Sequence, residues 1–427
     1  MKAAFYTLGC RVNSYDTQTM IELFKTNGYE IVDAAEKADV YVINTCAVTN
    51  ESERKSKQIV RRLKKQNENA ITVLTGCFAE SNFEEAKKVD SADIVCGTHK
   101  REKIIDYINE FKAKQNKVYN LEEDSREFDK AGITTYDGKS RAFIKVQDGC
   151  NMFCTYCIIP YARGILKNAS VEKVLSQIDA LSKKGYREVV ITGIHVASYK
   201  ADTGENLIDL LELIDKENKI DRIRLGSLEP KLLTDTFLKR LGELKSFCPH
   251  FHISLQSGCD KTLKEMNRKY TTKEYMEIVN RVRKYFDDPG ITTDIIVGFP
   301  NETDEDFEVT KDFTDKVGFS YVHIFPYSPK HGTPASEMEN QIPKGLKTKR
   351  AKELKDVMEN KREDFLNNMI GKQEKVLIEK KLEENIYEGY SENYIYVEVK
   401  SDKDIFNQIV NVKITEKTQT HLRGEII

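Results

Sequence analysis

The chain has 427 residues, 39% of them apolar and 32% charged, with a formal net charge of −2. That length calls for two or three domains, and no apolar run is long enough to span a bilayer. The near-neutral charge excludes a nucleic-acid binder built on overall positive charge, so any RNA contact must come from local patches.

The chain opens MKAAFYTLGCRVN. A cysteine and polar residues stand too early there for a signal peptide, and a cytoplasmic protein is expected. Nine cysteines in a reducing compartment point to ligands or nucleophiles, and the odd count argues against a closed disulfide framework.

The first 121 residues alternate strand and helix. A strand at 3–7 leads to Leu8-Gly9-Cys10, and a helix is expected over 14–27, with Ser14 as N-cap and Gly28 as its stop. A strand at 40–44 leads to Thr45-Cys46, a helix covers 51–66, and a strand at 71–75 leads to Gly76-Cys77. Such alternation implies an open parallel sheet. Each of the three cysteines follows the carboxyl end of a different strand, the edge where such sheets bind ligands. Three buried thiols behaving as small hydrophobes are the plain alternative, and the equivalence of the three positions speaks against it.

Residues 122–140 are charged and poor in apolar side chains, and read as a linker. Gly132 with Gly138-Lys139-Ser140 imitates a phosphate-binding loop, but the spacing is one residue too long and no strand precedes it. From 141 to 368 the alternation resumes, with strands at 142–147, 188–192, 222–226, 251–256, 292–297 and 320–325, helices at 171–184 and 274–285, and a long charged helix from 344. Six β/α units suggest a partial (β/α)6 barrel. Residues 369–427 turn β-rich, with alternation at Ile395, Val397 and Val399 and again at Val410, Val412 and Ile414, which suggests a small all-β barrel. The expected class is therefore α/β, with an open parallel sheet, a partial barrel and a small β-barrel in that order.

The sharpest signal is Gly149-Cys150-Asn151-Met152-Phe153-Cys154-Thr155-Tyr156-Cys157. Three thiolates at this spacing can hold three irons of a cubane four-iron cluster and leave the fourth iron open. A structural zinc site wants four closed ligands in paired knuckles, and fits badly. With an aromatic residue before its last cysteine, the motif resembles the signature of the radical SAM superfamily. That resemblance implies that the open iron chelates S-adenosylmethionine (SAM), and that one electron cleaves it to a 5′-deoxyadenosyl radical able to take hydrogen from an unactivated C–H bond.

Leu8-Gly9-Cys10, Asn44-Thr45-Cys46-Ala47-Val48-Thr49, Thr75-Gly76-Cys77, CNMFCTYCIIPYARG at 150–164, Ser254-Leu255-Gln256-Ser257-Gly258 and Asp294-Ile295-Ile296-Val297-Gly298-Phe299-Pro300 together resemble the methylthiotransferase family over nearly the whole chain. The resemblance implies an N-terminal domain (1–121) carrying an auxiliary four-iron cluster on Cys10, Cys46 and Cys77. It implies a radical SAM core (141–368) with its cluster on Cys150, Cys154 and Cys157, and a C-terminal TRAM domain (369–427). One SAM methylates a sulfur held at the auxiliary cluster and another makes the radical. No family ligand position matches Cys96, Cys248 or Cys259, which are assigned to packing.

Strand ends on the cysteine side are the natural source of SAM contacts. Candidates are Thr192 and Gly193, Ser227 and Glu229, Ser254, Gln256 and Ser257, then Asp294 and Gly298, while Arg268 could pair with the SAM carboxylate. His195 and His323 stand near strand ends, where a lone histidine is more often a satisfied polar residue than a catalyst.

The family divides by substrate: isopentenyladenosine in tRNA, threonylcarbamoyladenosine in tRNA at the same position 37, or an aspartate of a ribosomal protein. Gly9-Cys10-Arg11-Val12-Asn13 and Asn44 to Asn50 most resemble the bacterial threonylcarbamoyl group. This implies replacement of C–H by C–S–CH3 on tRNA carrying that nucleoside, with a one-electron donor protein, a sulfur donor and no membrane. An RNA-binding protein with structural or redox-sensing clusters is the rival outside the enzymes. The helix 51–66 places Arg54, Lys57, Arg61 and Lys64 on one face able to follow a phosphate backbone, although charged helix faces are usually just solvated. The C-terminal module is slightly acidic, with nine Lys/Arg against eleven Asp/Glu from 371, so its RNA contact must be a local face. Asn301 stands where the family often has glycine, which affects a turn and not the clusters.

Overall fold

The computed structural model describes residues 1–124, 127–136 and 140–427. Gly138 and Lys139 of the phosphate-loop lookalike lie outside the described residues. The N-terminal region is one parallel sheet of β1 (Lys2–Thr7), β2 (Glu30–Val32), β3 (Val40–Thr45), β4 (Ile71–Gly76), β5 (Ile94–Cys96) and β6 (Val118–Asn120), in the order β2-β1-β3-β4-β5-β6. Strands β3 and β4 are buried at every position, as their unbroken apolar runs require in a sheet covered on both faces.

Helix α1 (Arg11–Thr26) starts earlier than expected, with Cys10 in extended backbone as its N-cap. The Ser14 N–H already bonds the Cys10 carbonyl at 3.1 Å, so Ser14 lies within the first turn. Helix α2 (Asn50–Gln66) is capped by the Thr49 hydroxyl and buries Ser56, Val60 and Leu63. A third helix, α3 (Cys77–Ser81), begins directly at the end of β4.

The central region holds β7 (Arg141–Asp148), β8 (Lys167–Asn168), β9 (Glu188–Gly193), β10 (Arg222–Leu225), β11 (Ser227–Leu228), β12 (His250–Ile253), β13 (Gly290–Val297) and β14 (Tyr321–Pro326). They run as β10-β9-β7-β8 and β11-β12-β13-β14, parallel except at β8, and a bridge from Ile223 to Phe247 joins the two halves. The result is a barrel open along one side, between β7 and β14. Strand β12 ends before the expected 256 because Gln256 adopts φ +74°, a left-handed conformation that breaks the extended run. Helix α1 packs along β7: the Tyr15 hydroxyl donates to Gln177 Oε1 at 2.9 Å, and the Arg11 guanidinium lies 5.8 Å from the Phe143 ring centre.

The stretch read as a linker is partly structural. Ile133 and Tyr136 are buried in the barrel's core, and Asp124 pairs with Lys167 at 2.7 Å. A few apolar side chains suffice to anchor a polar segment, and average composition conceals them.

The C-terminal region is a closed barrel of β15 (Gln373–Glu383), β16 (Ile386–Ser391), β17 (Tyr396–Lys400), β18 (Ile409–Lys417) and β19 (Leu422–Ile426). It docks where the central strands begin. Arg222 donates to the Tyr390 and Lys375 carbonyls, and Arg224 pairs with buried Glu188 at 2.8 Å while donating to the Ser391 carbonyl. Tyr394 enters from this barrel, stacked on His250 at 4.5 Å and on Tyr390 at 4.8 Å. No helix among the described residues is long and apolar enough to cross a membrane.

Burial, with Glu392 and Asp288 adjacent, pushes Glu374 in β15 up to about 7. The folded state therefore holds this proton more tightly than the unfolded chain, and its contribution to stability declines as pH rises from the ordinary glutamate range toward 7. Glu374→Gln is expected to raise the thermal midpoint at pH 8 and to leave it nearly unchanged at pH 4, measured by calorimetry at both.

Candidate active site

Sheet register decides where the first three cysteines meet. Thr7 lies opposite Asn44, Asn44 opposite Thr75, and Thr45 opposite Gly76. Cys10, Cys46 and Cys77 therefore leave three adjacent strands at one edge. Asn13 binds the turns together, its Nδ2 donating to the Leu8 carbonyl at 2.7 Å and the Thr45 carbonyl at 2.9 Å. Gly9 has φ +111°, and a Cβ there would stand 3.3 Å from Cys46 Sγ. Gly76 has φ +96°, and a Cβ would collide with Asn44 Oδ1 and the Thr45 backbone. Both positions need glycine. Burial pushes the Cys77 thiol up to about 11, the Arg163 guanidinium pulls it down, and Cys10 and Cys46 push it further up. The three sulfurs thus lie within electrostatic reach of one another.

Arg163 comes from the central region, and its Nε donates to Cys77 Sγ at 3.3 Å. Its Nη2 reaches Asn13 Oδ1 at 2.5 Å and its Nη1 reaches Asp16 at 2.7 Å. It belongs to a balanced network of three cations and three carboxylates. Lys145 Nζ contacts Asp16, Asp129 and Asp148 at 2.7, 2.8 and 2.9 Å, while Arg101 pairs with Asp16 and Asp129 at 3.0 and 2.9 Å. The three carboxylates are close enough to suggest a metal site, but these cations already occupy the space between them. Lysine and arginine at their shared centre leave no role for another cation there.

The second triad follows β7. Phe153 takes φ +46° within the cysteine loop, and the Met152 N–H points at Cys150 Sγ, 3.5 Å away. Burial raises the Cys150 thiol and pushes Cys157 up to about 12, with the neighbouring cysteines adding to the rise. Arg268 was expected to meet the SAM carboxylate, and the protein itself engages it. Its Nη1 donates to Cys154 Sγ at 3.2 Å, its Nη2 to Glu229 at 2.7 Å and its Nε to the Tyr270 hydroxyl at 3.0 Å. The loop after the helix Asp260–Glu265 carries it beneath the cysteine loop. Glu229 Oε1 and His195 Nδ1 are buried here without a hydrogen-bond partner. Three thiols beside an unpartnered acceptor fit a cluster whose open iron would hold an amino-acid end, the free carboxylate oxygen suiting the N–H groups of its amine.

Beside the second triad, and reaching the residues just after Cys46, lies a cavity of about 250 Å³. Val48 and Thr49, just beyond Cys46, form one wall, Tyr156 and Cys157 another, and Asp294 and Phe325 a third. Gln256 also lines it, its N–H bonded to the Asp294 carbonyl at 2.9 Å. Of the sequence candidates, Glu229, Gln256, Arg268 and Asp294 stand at the triad or the cavity. Thr192 is buried at the end of β9, and Gly193 packs on Gln147. Ser227 is exposed at the start of β11, and Ser257 is buried against Thr310. The Ser254 carbonyl accepts from Tyr270, and the Gly298 N–H is held by Glu302 at 2.8 Å. These last two hold turns of the fold.

The basic stripe of α2 is largely neutralised. Arg54 pairs with Glu51 at 2.6 Å, Lys57 with Glu85 at 3.5 Å and Lys64 with Asp93 at 2.8 Å, which leaves Arg61 as the member without a carboxylate among the described residues. Two of these partners lie outside the helix, beyond the reach of its charge pattern. Cys96, Cys248 and Cys259 are all buried. Arg163 and Asn13 escaped the sequence reading, although Arg163 sits in the Pro-Tyr-Ala-Arg-Gly run directly after the motif.

The chain matches the Radical SAM superfamily over residues 144–314 and the uncharacterized protein family UPF0004 over residues 2–97. It is 37% identical to the threonylcarbamoyladenosine tRNA methylthiotransferase MtaB of Bacillus subtilis, covering 99% of this chain and 96% of that one. It is 39% identical to the protein of that name from Aquifex aeolicus, over 97% of this chain and all of the relative. Identity to a tRNA-2-methylthio-N(6)-dimethylallyladenosine synthase of Clostridium botulinum is 34%, over 99% and 96%. Among solved structures, the radical S-adenosylmethionine methyltransferase TsrM of Kitasatospora setae, with cobalamin and a [4Fe-4S] cluster bound, shares the fold. The TM-score is 0.57 at 13% identity, covering 78% of this chain and 77% of that one.

Arg163→Leu would leave Asp16 and Asp148 short of a buried counter-charge. Breaking such a pair costs about 3–5 kcal/mol. The metal-free variant is expected to unfold several degrees below the wild type by calorimetry, whereas Arg61→Leu is expected to be neutral.

Proposed function

Because the chain belongs to the radical SAM methylthiotransferase family, we propose that it converts threonylcarbamoyladenosine in tRNA to its 2-methylthio derivative. The observation that carries this reading is a cavity lined by Cys157 of the second triad and by Val48 and Thr49, which follow Cys46 of the first. An enzyme that both activates a C–H bond and delivers sulfur to the same carbon needs its two centres on one substrate. The names of the MtaB relatives, at 37–39% identity, support the threonylcarbamoyl substrate over the isopentenyl one.

In this reading Cys10, Cys46 and Cys77 hold the auxiliary [4Fe-4S] cluster, and Cys150, Cys154 and Cys157 hold the SAM-cleaving one, within domains spanning 1–121 and 141–368. When bound, the clusters and SAM supply the radical and the donated sulfur, and the chain supplies placement. Arg268 donates to Cys154 Sγ and fixes Glu229, whose free oxygen would accept from the SAM amino group. Gln256 and Asp294 offer polar edges to the nucleoside parts. Tyr156 and Phe325 line the space where the base enters and limit water there. The base must leave its stack to reach the cavity. Turnover draws on a one-electron donor protein and a sulfur donor, in the cytoplasm where the tRNA is.

The Cys77 and Cys157 thiols are pushed up when metal-free, so cluster assembly must displace protons there. Anaerobic reconstitution, reduction, and addition of SAM with tRNA bearing threonylcarbamoyladenosine are expected to give the 2-methylthio nucleoside by mass spectrometry. Cys10→Ala is expected to abolish that product while 5′-deoxyadenosine still forms, and Cys154→Ala to abolish both. Product from isopentenyl-bearing tRNA alone would move the enzyme to the other substrate, and no product from either tRNA would overturn the reading.

A further inference from the structure

A second recess opens where the central strands begin, between them, the helix Lys344–Asn367 and the C-terminal barrel. Its volume is about 330 Å³, and its lining includes Arg11, His252, His323, Arg362 and Tyr394. Register connects it to the cavity beside the second triad. Thr292 pairs with Tyr321, Asp294 with His323 and Ile296 with Phe325, while His252 pairs with Thr292 on the other side. Strand side chains alternate between faces, so Phe325 and Ile296 of the first cavity and His323 and Asp294 below them share the inner face. His323 and Phe325 are stacked 6.4 Å apart, and Asp294 lines the cavity while its carboxylate lies 3.3 Å from His252 Nε2. The two spaces thus lie one above the other along β13 and β14.

The charges in the recess are unusual. Arg11 extends from the residue after Cys10 through the open side of the barrel toward Tyr394 and the Phe143 ring. Arg141 and Arg224 lie near enough to disfavour its charge, and its hydrogen-bond partner is the Tyr394 side chain. No carboxylate pairs with it among the described residues. His323 is exposed, with the rings of Tyr321, Phe325 and His252 around it and the Asp294 carboxylate within 4.8 Å. His252 is held by Thr292 at 3.0 Å and by Asp294. His252, Asp294 and His323 are close enough to suggest a metal site, but the adjacent guanidinium opposes a bound cation. A half-buried cation without a carboxylate favours an anionic ligand.

We infer that this recess is the subsite for the N6 substituent of the substrate base, with Arg11 and His323 receiving a carboxylate and Asp294 accepting from its amide or hydroxyl hydrogens. The inference rests on the proposed threonylcarbamoyl substrate and explains how it is distinguished. One step of two residues along a strand is about 6.7 Å, the scale on which a carbamoyl-linked amino acid extends from its base. An isopentenyl group would place hydrocarbon against Arg11 and leave its guanidinium without a counter-charge, a mismatch that disfavours such an analogue.

The test uses the reconstituted full-length enzyme and anticodon stem-loop RNA carrying threonylcarbamoyladenosine, its methyl ester, or isopentenyladenosine. Charge-assisted hydrogen bonds to the acid are expected to give it a kcat/KM about tenfold or more above that of the ester. Arg11→Gln and His323→Gln should each bring that ratio toward one, and Arg11→Lys should restore part of it. Iron content and the visible spectrum of every variant separate this effect from lost folding. Variants that slow acid and ester equally, or a wild type indifferent to esterification, would overturn the subsite and leave the proposed reaction standing. A wild type that modifies only the isopentenyl RNA would overturn the reaction and the subsite together.

Discussion

Three buried cations set against three carboxylates, two buried and Asp129 partly so, hold the N-terminal sheet to the barrel. Lys145 is fully buried and contacts all three aspartates, while Arg101 and Arg163 complete the balance. An isolated charge at this depth costs several kcal/mol, and the mutual attraction offsets that only when each group has its partners in good geometry. The arrangement is therefore selective more than stabilising. A small slide of one region over the other would separate charges that have no other source of compensation. Asp16 comes from α1, Asp129 from the segment before the barrel, and Lys145 and Asp148 from β7, so one network sets the relation of three segments.

That relation determines the chemistry available. Arg163 touches both the network and Cys77, so the position of the first triad is mechanically tied to the loop that carries the second. Each triad has one arginine donating to one sulfur, Arg163 to Cys77 and Arg268 to Cys154. Such donors favour thiolate over thiol, the form in which a sulfur ligates iron. The same docking places Arg11, the residue after Cys10, inside the open side of the barrel. The auxiliary triad and the base of the barrel's interior are thus linked through a single residue step of α1.

Much of this was legible in the sequence wherever the signal was local. The strands before Cys10, Cys46 and Cys77 are short and rich in apolar residues, and the Cys-x3-Cys-x2-Cys spacing needs no tertiary information. The three-residue strands β2, β5 and β6 were not seen, being too short for any periodicity to show. The network was not legible, because Asp16, Asp129 and Lys145 are far apart in the chain and each resembles an ordinary surface charge. Distance also misled the reading of α2, whose Lys57 and Lys64 are paired with Glu85 and Asp93. His252 and His323 were unremarkable as single residues, and only strand register sets them on one face beside Asp294.

The central claim is that the two triads face each other across one substrate chamber. Crystals of the anaerobically reconstituted protein, with anomalous scattering recorded at the iron edge, test it most directly. The account predicts two separate iron sites, one on Cys10, Cys46 and Cys77 and one on Cys150, Cys154 and Cys157, with the space lined by Val48, Tyr156 and Phe325 between them. A single iron site, or two sites divided by packed protein without a shared cavity, would contradict it.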